Sequence, residues 1–290
     1  MICQDCNKDV PKAIETAPRG LICEPCLLLY VSWSRLETFR DNVTQFCAMY
    51  VTKTMPRPEP TPQMALGTAL HVMLLQPDEL EHKIAILPPG DGRTKAVKDA
   101  REELKRTLNG QTVITVEQAE TAKRMTEAVW ANPLARQLLE TEGEVEKLVC
   151  VEHPEFGKLK GCLDKLFTAG HIMDIKSTAY HQPNAFQKHA HSMGYHRQAS
   201  FYEDLRDLYL GEGEGRFFNL AISTTEGGSE AVVFEVSPDA KFFGRTENYE
   251  SLRELRRREQ EGDWSGRWSQ GIHVLNLPGW AYKQAQMETR

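Results

Sequence analysis

The chain contains no apolar run approaching the ~20 residues that a membrane-spanning helix requires. It has no internal repeat and no low-complexity tract, so a repeat architecture is excluded. Its N-terminus lacks the charged-then-apolar layout of a secretory signal, and a cytoplasmic location in the host cell is expected. Positive charge is also short: Lys and Arg number 35 against 41 Asp and Glu, a net charge of −6. That balance argues against a protein that coats nucleic acid nonspecifically. It leaves room for a DNA enzyme, because a local basic groove suffices. Cysteine is absent after Cys162. What is present is a 290-residue chain, 40% hydrophobic and 26% charged, long enough for one large domain and a small appendage.

The cysteines are concentrated early. Cys3-x-x-Cys6 and Cys23-x-x-Cys26 form two paired turns, each of which presents two thiolates to one tetrahedral ion. A structural zinc is therefore expected in a four-cysteine module over residues 1–28. Two disulfides are the alternative, and a cytosolic chain disfavours them. Cys47, Cys150 and Cys162 lie among apolar residues and read as small core hydrophobes.

Residues 161–176 carry the strongest functional signal. Two apolar segments flank Thr168-Ala169-Gly170, a hairpin pattern. Asp164 and Asp174 lie equally far from Ala169 and become cross-strand neighbours if the turn is centred there. Carboxylates so placed repel at ~5 Å and call for a cation between them. Lys176 follows Asp174 by two and shares its face. Two carboxylates and an ammonium are the minimum kit for a divalent metal and a polarised water; three ordinary charges on a solvated face are the plain alternative. Asp174 is expected at an exposed position.

Three further features bear on that choice. His71 lies in an apolar helical stretch with Leu66, Leu70, Met73 and Leu74, one turn after Gly67, which permits close approach of a ligand or backbone. Gln198 and Tyr202 are four apart and share one helix face. Glu146 opens the apolar run Leu148–Val151 ahead of the hairpin.

Coarse patterning orders the rest. Ser34 with Glu37 reads as a capping box opening a helix through about Tyr50, with Leu36, Phe39, Val43, Phe46, Cys47 and Tyr50 as its apolar stripe. Met55–Pro62 reads as a linker, and the His71 helix as stopping at Pro77. Residues 78–92 read as extended and loop, followed by a charged helix over about 95–108. Thr115 with Gln118 is a second capping box, opening a helix to about Ala131; Pro133 starts another. Strands are expected near 145–152, 159–167, 171–176, 216–223 and 231–236, with Glu226-Gly227-Gly228 as the last turn. Helices are expected near 183–191 and 195–210, and a long one from Pro238 leads to Trp264 and Trp268. Candidate basic surfaces are Lys158 with Lys160, Arg93 with Lys95 and Lys98, and Arg253, Arg256, Arg257 and Arg258, the last group being read mainly as a solvated face.

The order helix histidine, Gly-x-x-Asp, Asp-x-Lys, Gln-x-x-x-Tyr resembles the RecB-type branch of the PD-(D/E)xK nucleases. Ser34-Arg35-Leu36 with Phe39 and Tyr50, Gly67–His71, Met173–Thr178, Tyr195-His196-x-Gln198, Ala221–Glu226 and Leu277–Ala281 resemble the nuclease domain of the exonuclease VIII (RecE) family, over roughly residues 30–285. The resemblance implies a restriction-endonuclease-like α/β fold: a mixed β-sheet flanked by helices, over residues 29–290, with a helical insertion near 93–140. It implies a metal-dependent DNA exonuclease with Asp164, Asp174 and Lys176 as catalytic residues. His71, Asp164, Asp174 and the Ile175 carbonyl would hold Mg²⁺ or Mn²⁺, and Glu146, Gln198 and Tyr202 would support the site or hold DNA. It further implies resection of double-stranded DNA from 5′ ends, a homo-oligomeric ring, and work beside a single-strand annealing protein in homologous recombination, often in a phage. Some relatives in this branch carry an iron–sulfur cluster held by cysteines on both sides of the core; with none after Cys162, zinc is preferred. The N-terminal cysteine module departs from the exonuclease VIII pattern. Alternative readings are a Cas4-like or repair nuclease with single-strand preference, and a noncatalytic zinc-bearing DNA-binding or recruitment protein.

Overall fold

The structure is a computed structural model and describes residues 1–90, 93–211, 213–225, 229–269, 271–276 and 279. The chain opens with a hairpin of β1 (Ile14–Pro18) and β2 (Gly20–Ile22), the single turn α1 (Glu24–Leu27) and the short β3 (Val31–Ser32). Helix α2 (Trp33–Asp41) is capped by Ser32, whose hydroxyl accepts from the Arg35 N–H at 3.4 Å. The expected Ser34–Glu37 box does not form: Glu37 is taken by Arg40 and, at 2.8 Å, by Arg197. The helix also stops short of Tyr50. Asn42 adopts an extended backbone, and its side chain accepts from the Gln45 N–H at 3.0 Å, starting the short α3 (Val43–Phe46) and a π-type turn over Cys47–Val51. The apolar stripe survives the break, with Leu36, Phe39, Val43 and Phe46 all buried.

Helix α4 (Pro62–Leu75) is capped by Thr61, with Pro62 in its first turn. The stretch expected as loop holds the turn Pro77–Glu79, α5 (Leu80–Lys83) and β4 (Ile84–Ile86), which pairs in parallel with β5 (Thr112–Ile114). Helix α6 (Lys95–Thr107) lies between those strands in sequence. Helix α7 (Val116–Ala131) begins with the expected Thr115–Gln118 capping box, and α8 (Pro133–Glu140) follows. Then come β6 (Gly143–His153), β7 (Gly157–Phe167), β8 (Ile172–Thr178), α9 (Pro183–Ser192), α10 (Tyr195–Leu210), β9 (Phe217–Ser223), β10 (Ala231–Glu235) and α11 (Pro238–Glu261). The expected Glu226–Gly228 turn lies outside the described residues, as does the Leu277–Ala281 motif apart from Gly279.

The main sheet runs β10-β9-β8-β7-β6-β1-β2, with β3 added to the start of β7. It is mixed: β8–β9 and β1–β6 are parallel, and β6–β7, β7–β8 and β9–β10 are antiparallel. β9 is buried at every position, as an interior strand covered on both faces must be. One face is filled by Leu36, Phe39, Phe46, Leu163, Phe201, Leu205 and Leu255, from α2, α3, β7, α10 and α11. The other is filled by Leu70, Leu74, Met125, Val129, Met173, Ile175 and Leu220, from α4, α7, β8 and β9. Among the described residues, no helix is long and apolar enough to cross a membrane.

The cysteine-bearing N-terminus is joined to this sheet. β1 pairs with β6 at Ala17–Val149 and Pro18–Cys150. The Asp5 carboxylate is buried and receives Lys158 at 2.6 Å, Arg19 at 3.1 Å and the Tyr30 hydroxyl at 3.0 Å. Lys160 donates to the Leu27 carbonyl at 2.6 Å. Lys158 and Lys160, expected as a basic surface, therefore fasten the N-terminus to β7. The arginine run is likewise tied within the protein: Arg253 pairs with Glu155, Arg256 donates to the Phe156 carbonyl, and Arg257 and Arg258 pair with Glu254.

Candidate metal and active site

The β6–β7 ladder is continuous except at one step. Val145 pairs with Lys165 and Lys147 with Leu163, but the intervening pair, Glu146 with Asp164, is absent. Glu146 has φ of +49°, a left-handed conformation that non-glycine residues adopt at a cost and that clusters at functional sites. On its other side β7 pairs with β8 at Lys165–Met173 and Leu166–Ile172. One step further that register would set Asp164 opposite Asp174, as the centring on Ala169 predicts. The ladder gives way there: the Ile175 N–H donates to Asp164 Oδ2 at 2.7 Å. Side-chain alternation slips at the same place. Leu163 and Leu166 share one core cluster although three apart, while Phe167, Met173 and Ile175 fill the cluster on the opposite face. The sheet is thus opened around Asp164.

Groups from separate elements fill the opening. His71 on α4 places Nδ1 3.5 Å from Asp164 Oδ1 and 3.6 Å from Glu146 Oε1, and its Nε2 lies 3.1 Å from the Ile175 carbonyl oxygen. Ligand atoms of His71, Glu146 and Asp164 all fall within 4.8 Å of one another. Asp174 is 2% exposed, not at an exposed position as expected, because β8 is an interior strand. Lys176 Nζ is 2.5 Å from Asp174 Oδ2, a contact without hydrogen-bond alignment. The same ammonium donates to Gln198 Oε1 at 2.7 Å and lies 4.4 Å from the centre of the Tyr195 ring. Gly67 makes only ordinary contact with Ser177, since an added Cβ would lie 3.6 Å from its hydroxyl.

The electrostatics reflect crowding. Burial pushes the Asp164 carboxyl up to about 7; the His71 charge opposes this and Asp174 adds to it. Burial works against a charged His71, but Asp164, Glu146 and Asp174 outweigh it and raise the imidazole to about 9. Burial also disfavours the Lys176 ammonium, and Asp174, Tyr195 and Asp164 together outweigh it, holding it above the usual lysine range. Three carboxylates thus face one imidazole and one ammonium, and protons are retained where a cation would neutralise the same oxygens. Carboxylate and carbonyl oxygens with one imidazole suit a hard divalent ion.

Gln198 is buried against Lys176, and Tyr202 packs beside it on α10 with its hydroxyl held protonated by burial and by Asp174. Two neighbours were not singled out by the sequence reading. Tyr195 appeared there as part of a motif and was given no role at the site. Cys162 was read as a core residue, yet it is exposed and donates from Sγ to Glu146 Oε2 at 3.4 Å. The phase slip places it at the site's edge.

The four early cysteines form a second cluster, with all four sulfurs within 4.8 Å of one another. Thiolates about 2.3 Å from a tetrahedral zinc lie about 3.8 Å apart, and Cys6 and Cys23 sulfurs are separated by 3.9 Å. A disulfide would bring them to about 2.05 Å. The Cys23 N–H donates to Cys3 Sγ at 3.3 Å and is the main cause lowering that thiol to about 6, which favours the ligating thiolate.

Comparison with known proteins bears on the core. No curated protein matched the chain. A crystal structure from Eubacterium rectale, described as "Putative exonuclease", is similar over 87% of this chain and 91% of its own, with a TM-score of 0.59 and 13% identity. At that identity the likeness is one of fold, a mixed sheet flanked by helices. The profile of the PDDEXK-like domain of unknown function (DUF3799) matches residues 32–272, a span that starts after the cysteine cluster and includes every residue of the opened sheet from His71 to Tyr202. The chain belongs to this PDDEXK-like family.

Proposed function

We propose that the protein is a metal-dependent deoxyribonuclease that hydrolyses phosphodiester bonds as an exonuclease. The observation that carries this reading is the opened sheet at Asp164, where His71, Glu146, Asp164, Asp174 and Lys176 converge from α4, β6, β7 and β8. His71, Asp164, Asp174 and the Ile175 carbonyl would hold Mg²⁺ or Mn²⁺, with Glu146 close enough to share the load. Such an ion supplies Lewis acidity, polarising a phosphate oxygen and acidifying water. The chain's own contribution is orientation and charge. Asp174, Gln198 and Tyr195 fix the Lys176 ammonium in one place, from which it orients the attacking water and stabilises its deprotonated form. Gln198 acts by holding Lys176, and Tyr202 braces the same helix face and offers a hydroxyl proton toward the DNA backbone. Zinc in the Cys3, Cys6, Cys23 and Cys26 cluster would be structural, organising residues 1–28 as a module on a nuclease domain spanning 29–290.

The finer reading follows the exonuclease VIII resemblance: resection of double-stranded DNA from 5′ ends, in an oligomer, beside a single-strand annealing protein in recombination. The decisive assay uses end-labelled linear duplex and covalently closed circular DNA, with Mg²⁺, with Mn²⁺ and without added metal. Metal-dependent shortening of the linear duplex alone is expected. Cleavage of the closed circle would make it an endonuclease, and no hydrolysis under any condition would overturn the reading.

A further inference from the structure

Beside the opened sheet the fold encloses a concavity of about 720 Å³ between α9, the start of α10, β9, β10 and the first turns of α11. That size falls within the range of small-molecule sites. Its wall is aromatic. Phe186 and Phe234 stack with ring centres 4.4 Å apart and an interplanar angle of 19°, and Tyr195 stands beside them. Phe243, well exposed, lies at the rim.

Asn219 contributes to this lining from deep within β9. It is 2% exposed, and its Oδ1 is shut off from solvent and accepts no hydrogen bond from any described residue. A buried acceptor without a donor is uncommon and unfavourable. No described residue supplies the missing donor. A flat ring that carries an N–H answers both features: it stacks on the aromatic wall and donates to the amide. Location narrows the class. Asn219 is the parallel-register partner of Asp174, and Tyr195, which lines the concavity, is the ring over which Lys176 sits. The concavity is one strand and one ring away from the proposed reactive groups.

We propose that this concavity binds a nucleobase, the Asn219 amide turning so that its oxygen accepts an N–H from the base edge, with Phe186, Phe234 and Tyr195 providing the apolar contact. The choice of a nucleobase rests on the nuclease reading; the need for a flat donor does not. The base would come from a strand terminus or from a free nucleotide.

The test is saturation-transfer NMR on the full-length protein with deoxyadenosine, thymidine and deoxycytidine, without phosphate in the probe or added metal. Saturable binding of at least one nucleoside is expected. Asn219→Leu should weaken it at least fivefold, since it deletes the acceptor while keeping the volume. Ala240→Trp, which fills the concavity from the first turn of α11, should abolish it, and it carries the test if Asn219→Leu does not fold. No nucleoside binding to the wild type, or binding unchanged in Ala240→Trp, overturns the proposal. Displacement of the nucleoside by an open-ended duplex but not by a dumbbell closed at both ends supports the proposal with a strand terminus as the source; displacement by neither supports it with a free nucleotide. Hydrolysis is scored separately. Nucleoside binding without any hydrolysis keeps the concavity assignment and sinks the nuclease reading, and hydrolysis without nucleoside binding does the reverse.

Discussion

Among the described residues the molecule carries two clusters of side chains that could ligate a metal, and they are built in opposite ways. Cys3, Cys6, Cys23 and Cys26 come from two tight turns within one short segment, and their sulfurs converge within it. His71, Glu146, Asp164, Asp174 and Lys176 come from four elements and meet only because the β-ladder is interrupted on both sides of Asp164. The first cluster is soft, thiolate-based and local. The second is hard, charge-crowded and a product of topology. The difference teaches where each is vulnerable: the local cluster fails when a ligand is lost, and the topological one also fails when the groups holding its ligands are lost.

The largest effect is expected at Asp174. Asp174→Ala should abolish metal-dependent hydrolysis. An exposed Asp174 would predict unchanged or slightly raised stability on its removal. The buried ion pair with Lys176 reverses that sign, because deleting one partner strands an ammonium; for a fully buried pair this costs about 3–5 kcal/mol. A lowered melting temperature together with abolished cleavage is therefore expected. Cleavage that persists in a folded Asp174→Ala protein would remove this residue from the site.

Lys176→Ala should lower turnover by ~10²–10⁴, the range for water activation by a positioned group, with DNA affinity little changed. Parallel collapse of affinity and turnover would reassign Lys176 to phosphate binding. Because Gln198 acts through Lys176, Gln198→Ala should move turnover in the same direction by less, while Gln198→Glu, which preserves an acceptor, should recover part of it.

His71→Ala comes next. It should shift the Mg²⁺ or Mn²⁺ titration of activity to higher concentration while leaving saturated turnover closer to wild type. An unchanged metal titration with a reduced melting temperature would make His71 a packing residue of α4.

How much of this was legible in the sequence follows from the same contrast. The strands and helices from Pro133 onward, and the Thr115–Gln118 box, were readable because period and capping are local signals. The Ala169-centred register was readable too, since it depends only on a turn and the spacing of two aspartates. The interruption at Glu146 and Asp164 was not, because it is a disagreement between two strands and neither carries a glycine or proline at that step to announce it. Cys162 was misplaced for that reason: its apolar neighbours suggest a core, and only the phase slip sends it outward. Ser34 reads as a cap because Glu37 stands three residues on, yet Glu37 is claimed by Arg197 from α10, a contact 160 residues away in sequence. The basic pair Lys158 and Lys160 looked free because its partners, Asp5 and the Leu27 carbonyl, lie in the N-terminal segment.

The smallest effect on hydrolysis is expected from removing the local cluster, and it tests the comparison most directly. A chain lacking residues 1–28 should still hydrolyse short duplexes, because none of His71, Glu146, Asp164, Asp174 or Lys176 touches that segment in any bond described above. It should not be as stable as the full chain. Removal takes β1 from the edge of β6, Asp5 from Lys158 and Tyr30, and the Leu28 carbonyl from Arg35. Asp5→Asn in the full chain isolates one part of that loss. Asp5 is 1% exposed while Lys158 and Arg19 are 29% and 31% exposed, so solvent screens part of the pair, and roughly 1–3 kcal/mol is expected, below the value for a fully buried pair. Cys23→Ser should release one zinc per chain, read by metal analysis, and lower the melting temperature without changing the Mg²⁺ or Mn²⁺ titration. Iron in the intact protein, with a visible absorption band, would replace zinc in this account. Loss of all hydrolysis in a truncated chain whose circular dichroism and melting show a folded core would mean that the two clusters form one working assembly, and the contrast between a local module and a topological site would have to be given up.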